Sequence, residues 1–174
     1  MKLFRFSPIK NKKELFEVII YLHFESFRLL RQNLGYILPV SGNVGIFCHY
    51  EDEFERLIEI RKELTDLHDN WNQKYFRLYK PTIISAKGNI PEATYTHLYI
   101  RKPEAAHPNV GDIDFYLEPK KYGELKESLL SGKVIKGVRI FERPDLDLIR
   151  LSDPKSDVSV FVGMYQMSKV ARVK

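Results

Sequence analysis

Apolar residues recur at helical spacing from Asn11 to Leu34: Leu15, Ile19, Leu22, Phe27 and Leu30 fall on one face, widened by Phe16, Ile20 and Phe24. Asn11 is placed to cap this helix, Glu14 completes a capping box, and Gly35 supplies a stop. A stripe this wide must be covered, either by the chain's own sheet or by a second copy. Tyr36 to Val40 is a short apolar piece that runs into Ser41-Gly42-Asn43, which reads as a turn before a strand from Val44 to Tyr50. Glu51 to His68 then reads as a helix with three acids in its first turn and Phe54, Leu57, Ile58, Arg61 and Leu64 inward. Lys74 to Ser85 is extended, with Pro81 marking a break or a sheet edge, and Ala93 to Arg101 alternates as a strand. That alternation places Tyr95, His97, Tyr99 and Arg101 on one side and Thr94, Thr96, Leu98 and Ile100 on the other.

Lys102 to Gly111, with two prolines and a glycine, separates this half from a second one. There Asp112, Asp114, Tyr116 and Glu118 oppose Ile113, Phe115 and Leu117 on a strand that Pro119 ends. A helix follows from Lys120 to Leu130 with Tyr122, Leu125 and Leu129 inward, then strands at Val138 to Glu142, Leu146 to Leu151 and Val158 to Val162. Strand, helix and three strands thus describe residues 110–163, and residues 44–103 can be read in the same order. The expected fold is α+β: two βαβββ units forming a curved mixed sheet in a single domain over 1–174, with an additional N-terminal helix at 11–34 and a C-terminal tail at 164–174.

Length and composition agree with one folded body. The 174 residues can bury a core of their own. Hydrophobic residues at 44% with 29% charged argue against extended disorder. The net charge of +5 and pI near 9.2 permit phosphate contact, but acids interrupt the bases everywhere except at Lys169, Arg172 and Lys174, so charge alone names no partner. Cys48, the single cysteine, excludes an internal disulfide and a cysteine-built zinc site. The first residues show no signal-peptide pattern and no apolar run has the length of a membrane span, so a cytoplasmic protein without membrane contact is expected.

Three pieces of the second unit resemble the vicinal oxygen chelate superfamily, the fold of glyoxalases, dioxygenases and bleomycin-resistance proteins: DIDFYLEPKKYGELKESLLSG as opening strand and helix, GVRIFERP as the next strand, and RLSDPKSDVSVFVG as the closing hairpin. The resemblance implies two βαβββ modules whose eight strands enclose a curved cavity. It also implies a divalent metal held by His and Glu, but the positions that correspond are Gly45 or Ile46, Asp112 and Val160, so no metal and no cofactor is expected. The hairpin itself, Asp153-Pro154-Lys155-Ser156-Asp157, keeps only the frame of the family's Asp-Pro-Asp-Gly-Asn turn.

The residues that remain for chemistry are few. His97 and Asp112 would form a carboxylate-oriented imidazole suited to general base work if their strands line one cavity. Asp112 and Asp114 share a strand face, where paired carboxylates raise one another's pKa. Tyr75, Arg77, Tyr95, Tyr99 and Arg101 interleave rings and cations, with tyrosines to stack and arginines to hold anionic groups. Each has an ordinary reading: a partly exposed histidine, a solvated acidic row, amphipathic side chains along a sheet edge. Cys48 and His49, adjacent on a strand, point to opposite faces and cannot form a thiol-imidazole pair. The expected function is binding of a small polar or aromatic molecule in a sheet-lined cavity, with catalysis left open. Two alternatives stand beside it: a single-stranded nucleic-acid binder using the Tyr and Arg face, and an interaction protein that forms a homodimer through its N-terminal helix.

Overall fold

A computed structural model describes residues 4–67, 74–144 and 146–167. Its elements run α1 (Lys12–Leu34), β1 (Val40–Phe47), α2 (Glu51–Leu64), β2 (Phe76–Ile84), β3 (Ala93–Arg101), β4 (Gly111–Tyr116), α3 (Pro119–Leu130), β5 (Val138–Arg143), β6 (Leu146–Leu151) and β7 (Val158–Gly163). The strands form one curved mixed sheet in the order β2-β3-β1-β4-β7-β6-β5. The duplication is visible in the pairing. Each unit lays its last strand parallel to its first, β3 beside β1 and β7 beside β4. The two opening strands then pair antiparallel at the centre, with Val44 opposite Ile113 and Gly45 opposite Asp112.

The N-terminal helix belongs to neither unit and packs across β1, β4, β6 and β7, spanning the seam. Leu15, Val18, Ile19, Leu22, Phe27, Leu29 and Leu30 are buried beneath it, and the Phe27 ring meets Phe115 edge-on at 5.0 Å. Each such side chain contributes on the order of 1.5–3 kcal/mol by leaving water. The start of the helix is fixed as its sequence implies. Asn11 Oδ1 accepts from Glu14 N–H at 3.0 Å, and the Glu14 carboxylate accepts from Lys10 N–H at 2.6 Å. Gly35, with φ 82°, ends it by donating its N–H to the Arg31 carbonyl. Asn11→Ala is expected to lower the unfolding free energy by about 1 kcal/mol in urea denaturation, the usual loss for an N-cap.

Helices α1, α2 and α3 cover the same face of the sheet. Phe76, Leu98, Val44, Ile113, Val160 and Leu151 are successive register partners from β2 to β6, and they form that face. The Arg61 guanidinium of α2 lies 3.5 Å from the Phe76 ring centroid, so its head packs on the ring. At the other end of the sheet Tyr122 of α3 donates to Asp147 at 2.7 Å, and Lys126 pairs with Asp147 and Glu142.

Several boundaries differ from the sequence expectation. Ser41-Gly42-Asn43 is not a turn but part of β1; the register against β4 shifts between Val40 and Val44, and Gly42 adopts φ 102°, so a bulge absorbs the residues that signal a turn. Helix α2 ends at Leu64 because Thr65 turns extended and bridges to Leu78. His68 and the basic tail from Lys169 lie outside the described residues. Among those described, the first unit carries two strands after its helix where the second carries three, so the sheet has seven strands rather than the eight that the resemblance implies. Pro81 sits in edge strand β2, whose register against β3 slips between Arg77 and Thr82. No helix among the described residues is long and apolar enough to cross a membrane.

Candidate functional site

The sheet face opposite the helices gathers most of the polar residues singled out in the sequence. Strand alternation dictates this: where Ile113 and Phe115 point to α1, Asp112 and Asp114 must point away. Tyr99 of β3, Gly45 of β1, Asp112 of β4 and Ser159 of β7 are successive register partners. His97 pairs with Asn43, and Asn43 Nδ2 donates to Asp114 Oδ2 at 2.7 Å. Beyond β7, Phe161 and Arg150 continue the face.

Asp112 is its centre. The residue is 5% exposed, and its Oδ1 has no hydrogen-bond partner among the described residues. It fits only because Gly45 lacks a side chain: a methyl there would stand 2.1 Å from Asp112 Oδ1. Burial, then the charge of Asp114, pushes its pKa up to about 7, against the opposing pull of Lys74 and Arg101. Burial also raises Asp114, while the Asn43 hydrogen bond and Lys74 oppose the shift. Asn43 is fully buried, and its Oδ1, like Asp112 Oδ1, is unpartnered among the described residues.

Aromatic side chains wall one flank of the carboxylates. The Tyr75 and Tyr99 rings lie 5.6 Å apart, with Lys74 Nζ 5.1 Å and 4.8 Å from their centroids. Burial and then the charges of Asp114 and Asp112 raise the Tyr75 phenol, against a hydrogen bond with Asn43, so the phenol is neutral here. Arg101 pairs with Glu104 and lies over the Phe47 ring at 5.1 Å.

The face therefore holds Tyr75, Arg77, His97, Tyr99, Arg101, Asp112 and Asp114, but not as one constellation. Arg77 is the register partner of His97 on the edge strand and is exposed. His97 is hydrogen-bonded to Thr96 Oγ1 at 2.9 Å and shares its row with Asn43, whereas Asp112 lies across β1 in the row of Tyr99. His97 and Asp112 thus stand in different register rows, and Asp112 shares its strand face with Asp114, which Asn43 holds. Tyr95 is a correction. Its side chain is fully buried on the helix face, with its hydroxyl 3.0 Å from His23 Nδ1. The pleat slips at Thr96 and His97, whose side chains bond to each other instead of opposing, and this separates Tyr95 from Tyr99. Cys48 is buried, and His49 is hydrogen-bonded to Ser7 at 2.7 Å and stacked on Phe4.

Asn43, Gly45, Lys74 and Arg150 were missed, and only the register that brings them beside Asp112 and Asp114 could have revealed them. The His and Glu metal set of the resembled family does not fit these residues. Gly45 has no side chain, and Ile46 and Val160 are fully buried in the core, leaving Asp112 alone. No group of three His, Cys, Asp or Glu side chains suited to a metal occurs among the described residues. Two surface grooves lie off this face, one of about 450 Å³ between α1 and the end of β2 and one of about 570 Å³ beside α3.

The fold of the whole chain is found in another solved structure. The structural-genomics protein EC4020 matches 100% of this chain with 99% of its own, at 14% identity and a TM-score of 0.63, which shows a common fold. A glyoxalase/bleomycin resistance protein/dioxygenase superfamily member from Vibrio splendidus 12B01 is similar over 73% of this chain and 100% of its own, at 7% identity and a TM-score of 0.36. A Streptomyces coelicolor methylmalonyl-CoA epimerase, solved in complex with 2-nitronate-propionyl-CoA, is similar over 73% of this chain and 99% of its own, at 16% identity and a TM-score of 0.31. No family model matches the chain, and no curated protein matches it.

Proposed function

We propose that the protein binds a small polar molecule on the sheet face opposite α1, α2 and α3 and that Asp112 exchanges a proton with it. The observation that carries this reading is the buried Asp112 carboxyl beside a second buried carboxyl, with one oxygen unpartnered among the described residues and a pKa raised to the physiological range. Two like charges held out of water lower stability, and such arrangements concentrate where a proton must be held or moved. Protonated, Asp112 donates to a ligand oxygen; ionised, it takes the proton back. Asp114, fixed by Asn43, sets the affinity of Asp112 for that proton, and the Tyr75 and Tyr99 rings offer a flank for a planar group. The same dyad weighs against nucleic acid as the partner, because two buried acids at the middle of the face would meet a phosphate backbone with like charge.

The test is a carbon-detected NMR titration of the aspartate carboxyls. Asp112 is expected to titrate near neutral pH, and Asp114→Asn to lower that midpoint by at least one pH unit. A midpoint below pH 5 in the unaltered protein would overturn the reading.

A further inference from the structure

A basic cluster lies on the sheet face opposite α1, α2 and α3, with Arg101 near enough to Asp112 to act on its charge. It is built from Arg101 at the end of β3, His107 between the two units, Arg143 closing β5, and Arg150 on β6. Their floor is aromatic. Arg101 lies 5.1 Å and the His107 ring 6.2 Å from the Phe47 ring, and Arg143 lies 5.0 Å from Phe141, whose ring meets Phe161 at 5.5 Å. Phe161 is in turn the register partner of both Asp114 and Arg150. That these groups converge is also seen in His107, where burial and then repulsion from Arg101, Arg150 and Arg143 lower the imidazole pKa, with only Glu104 opposing.

Among the described residues Glu104 is the one carboxylate that forms an ion pair with this cluster. Glu104 serves both Arg101, at 2.9 Å, and His107, at 3.1 Å. The Nε atoms of Arg101 and Arg150 are shielded from solvent with no hydrogen-bond partner among the described residues. Asp112 and Asp114, pressed together, do not both ionise readily. A planar guanidinium fork deprived of protein acceptors is matched by a compact oxyanion, which it holds through paired hydrogen bonds.

We propose that Arg101, Arg143 and Arg150, with His107, form an oxyanion subsite that holds the carboxylate or phosphate of a small ligand whose neighbouring oxygen reaches Asp112. This rests on the reading of the face as a ligand site and specifies its ligand as anionic. It also moves the anchoring of charge away from Arg77, which stands exposed on the edge strand. The carboxylate and phosphate forms share the same chemistry and differ in the test.

The test titrates the full chain with inorganic phosphate and, separately, with lactate, following backbone amide and carboxyl shifts by NMR. Binding of either anion, with shifts at Arg101, Arg150 and Asp112, is expected to weaken at least tenfold in Arg101→Gln and in Arg150→Gln. It should be unchanged in Lys62→Gln, on the far side of α2, and circular dichroism should show each variant folded. A preference for lactate would assign a carboxylate, and a preference for phosphate a phosphoryl group. Equal binding in all variants would overturn the subsite, as would no binding of either anion at millimolar concentration. In the second case glycerol, a neutral polyol, separates the two claims: if it still moves the Asp112 carboxyl signal the ligand face stands without an anion subsite, and if it does not, both fall.

Discussion

Gly111→Ala is expected to lower the unfolding free energy by about 4 kcal/mol, among the larger losses a single substitution causes. A Cβ at this position would stand 2.1 Å from the Gly45 carbonyl oxygen and 2.8 Å from Leu22 Cδ1. The first is backbone of the paired strand and cannot rotate aside, and the second belongs to the helix that spans the seam. To admit one methyl, β1 and β4 must separate or α1 must lift, and either opens the core at Val44, Ile113 and Leu22, all fully buried. Gly123→Ala is the internal control, because a Cβ there meets nothing within 4 Å and the residue lies inside α3. It should gain about 0.5–1 kcal/mol. Urea denaturation of both variants measures the difference, and a loss below about 1 kcal/mol for Gly111→Ala would mean that the seam yields where the geometry says it is rigid.

The second large effect is on pH dependence, where two buried groups act in opposite directions. His23 lies fully buried on α1 beside Tyr95, and burial lowers its pKa from 6.5 to about 4. The unfolded chain therefore binds the proton more readily, so stability present above about pH 6.5 is lost as pH falls towards 4, by about 3 kcal/mol. Asp112 has a raised pKa, so here the folded state holds the proton more tightly. Its contribution is full below the ordinary carboxylate range and declines as pH rises through neutrality, also on the order of 3 kcal/mol. Between about pH 4 and 6.5 the two slopes oppose, and the stability of the unaltered protein should vary little. Asp112→Asn removes one of them. Denaturation across that interval should then show stability climbing with pH by about 3 kcal/mol, with the variant more stable than the parent at pH 8. A flat profile in Asp112→Asn would show that His23 accepts its proton without unfolding.

Much of the architecture is legible in the sequence because hydrophobic period and terminal signals agree. The Asn11 cap, the Gly35 stop and the apolar stripe between them locate α1, and the alternation of Ile113 and Phe115 with Asp112 and Asp114 sorts the faces of β4. What failed was local and has a common cause. Ser41-Gly42-Asn43 has the composition of a turn, yet pairing with β4 on one side and β3 on the other holds it in a strand. Tyr95 has the right parity for the polar face, but a slip of the pleat at Thr96 and His97 reverses it. Parity counts hold only while a strand stays regular, and nothing in the chain marks where it does not. Which polar residues share the sheet face was more legible than how they are arranged on it. Asp112 and Asp114 are neighbours on one strand and could be paired by eye, whereas Gly45, Asn43 and Arg150 come from strands whose order no local pattern reveals.

The alternation along β4 has a consequence for how such a protein can change. Ile113 and Phe115 answer to the helix and the core; Asp112 and Asp114, interleaved with them, point to the opposite face, where the ligand is proposed to bind. On the proposed function, substitutions at the second pair would alter ligand choice while the first pair holds the core, so one short strand carries two sets of constraints. Gly45 and Gly111 are where the two sets touch, and there neither can drift without the other.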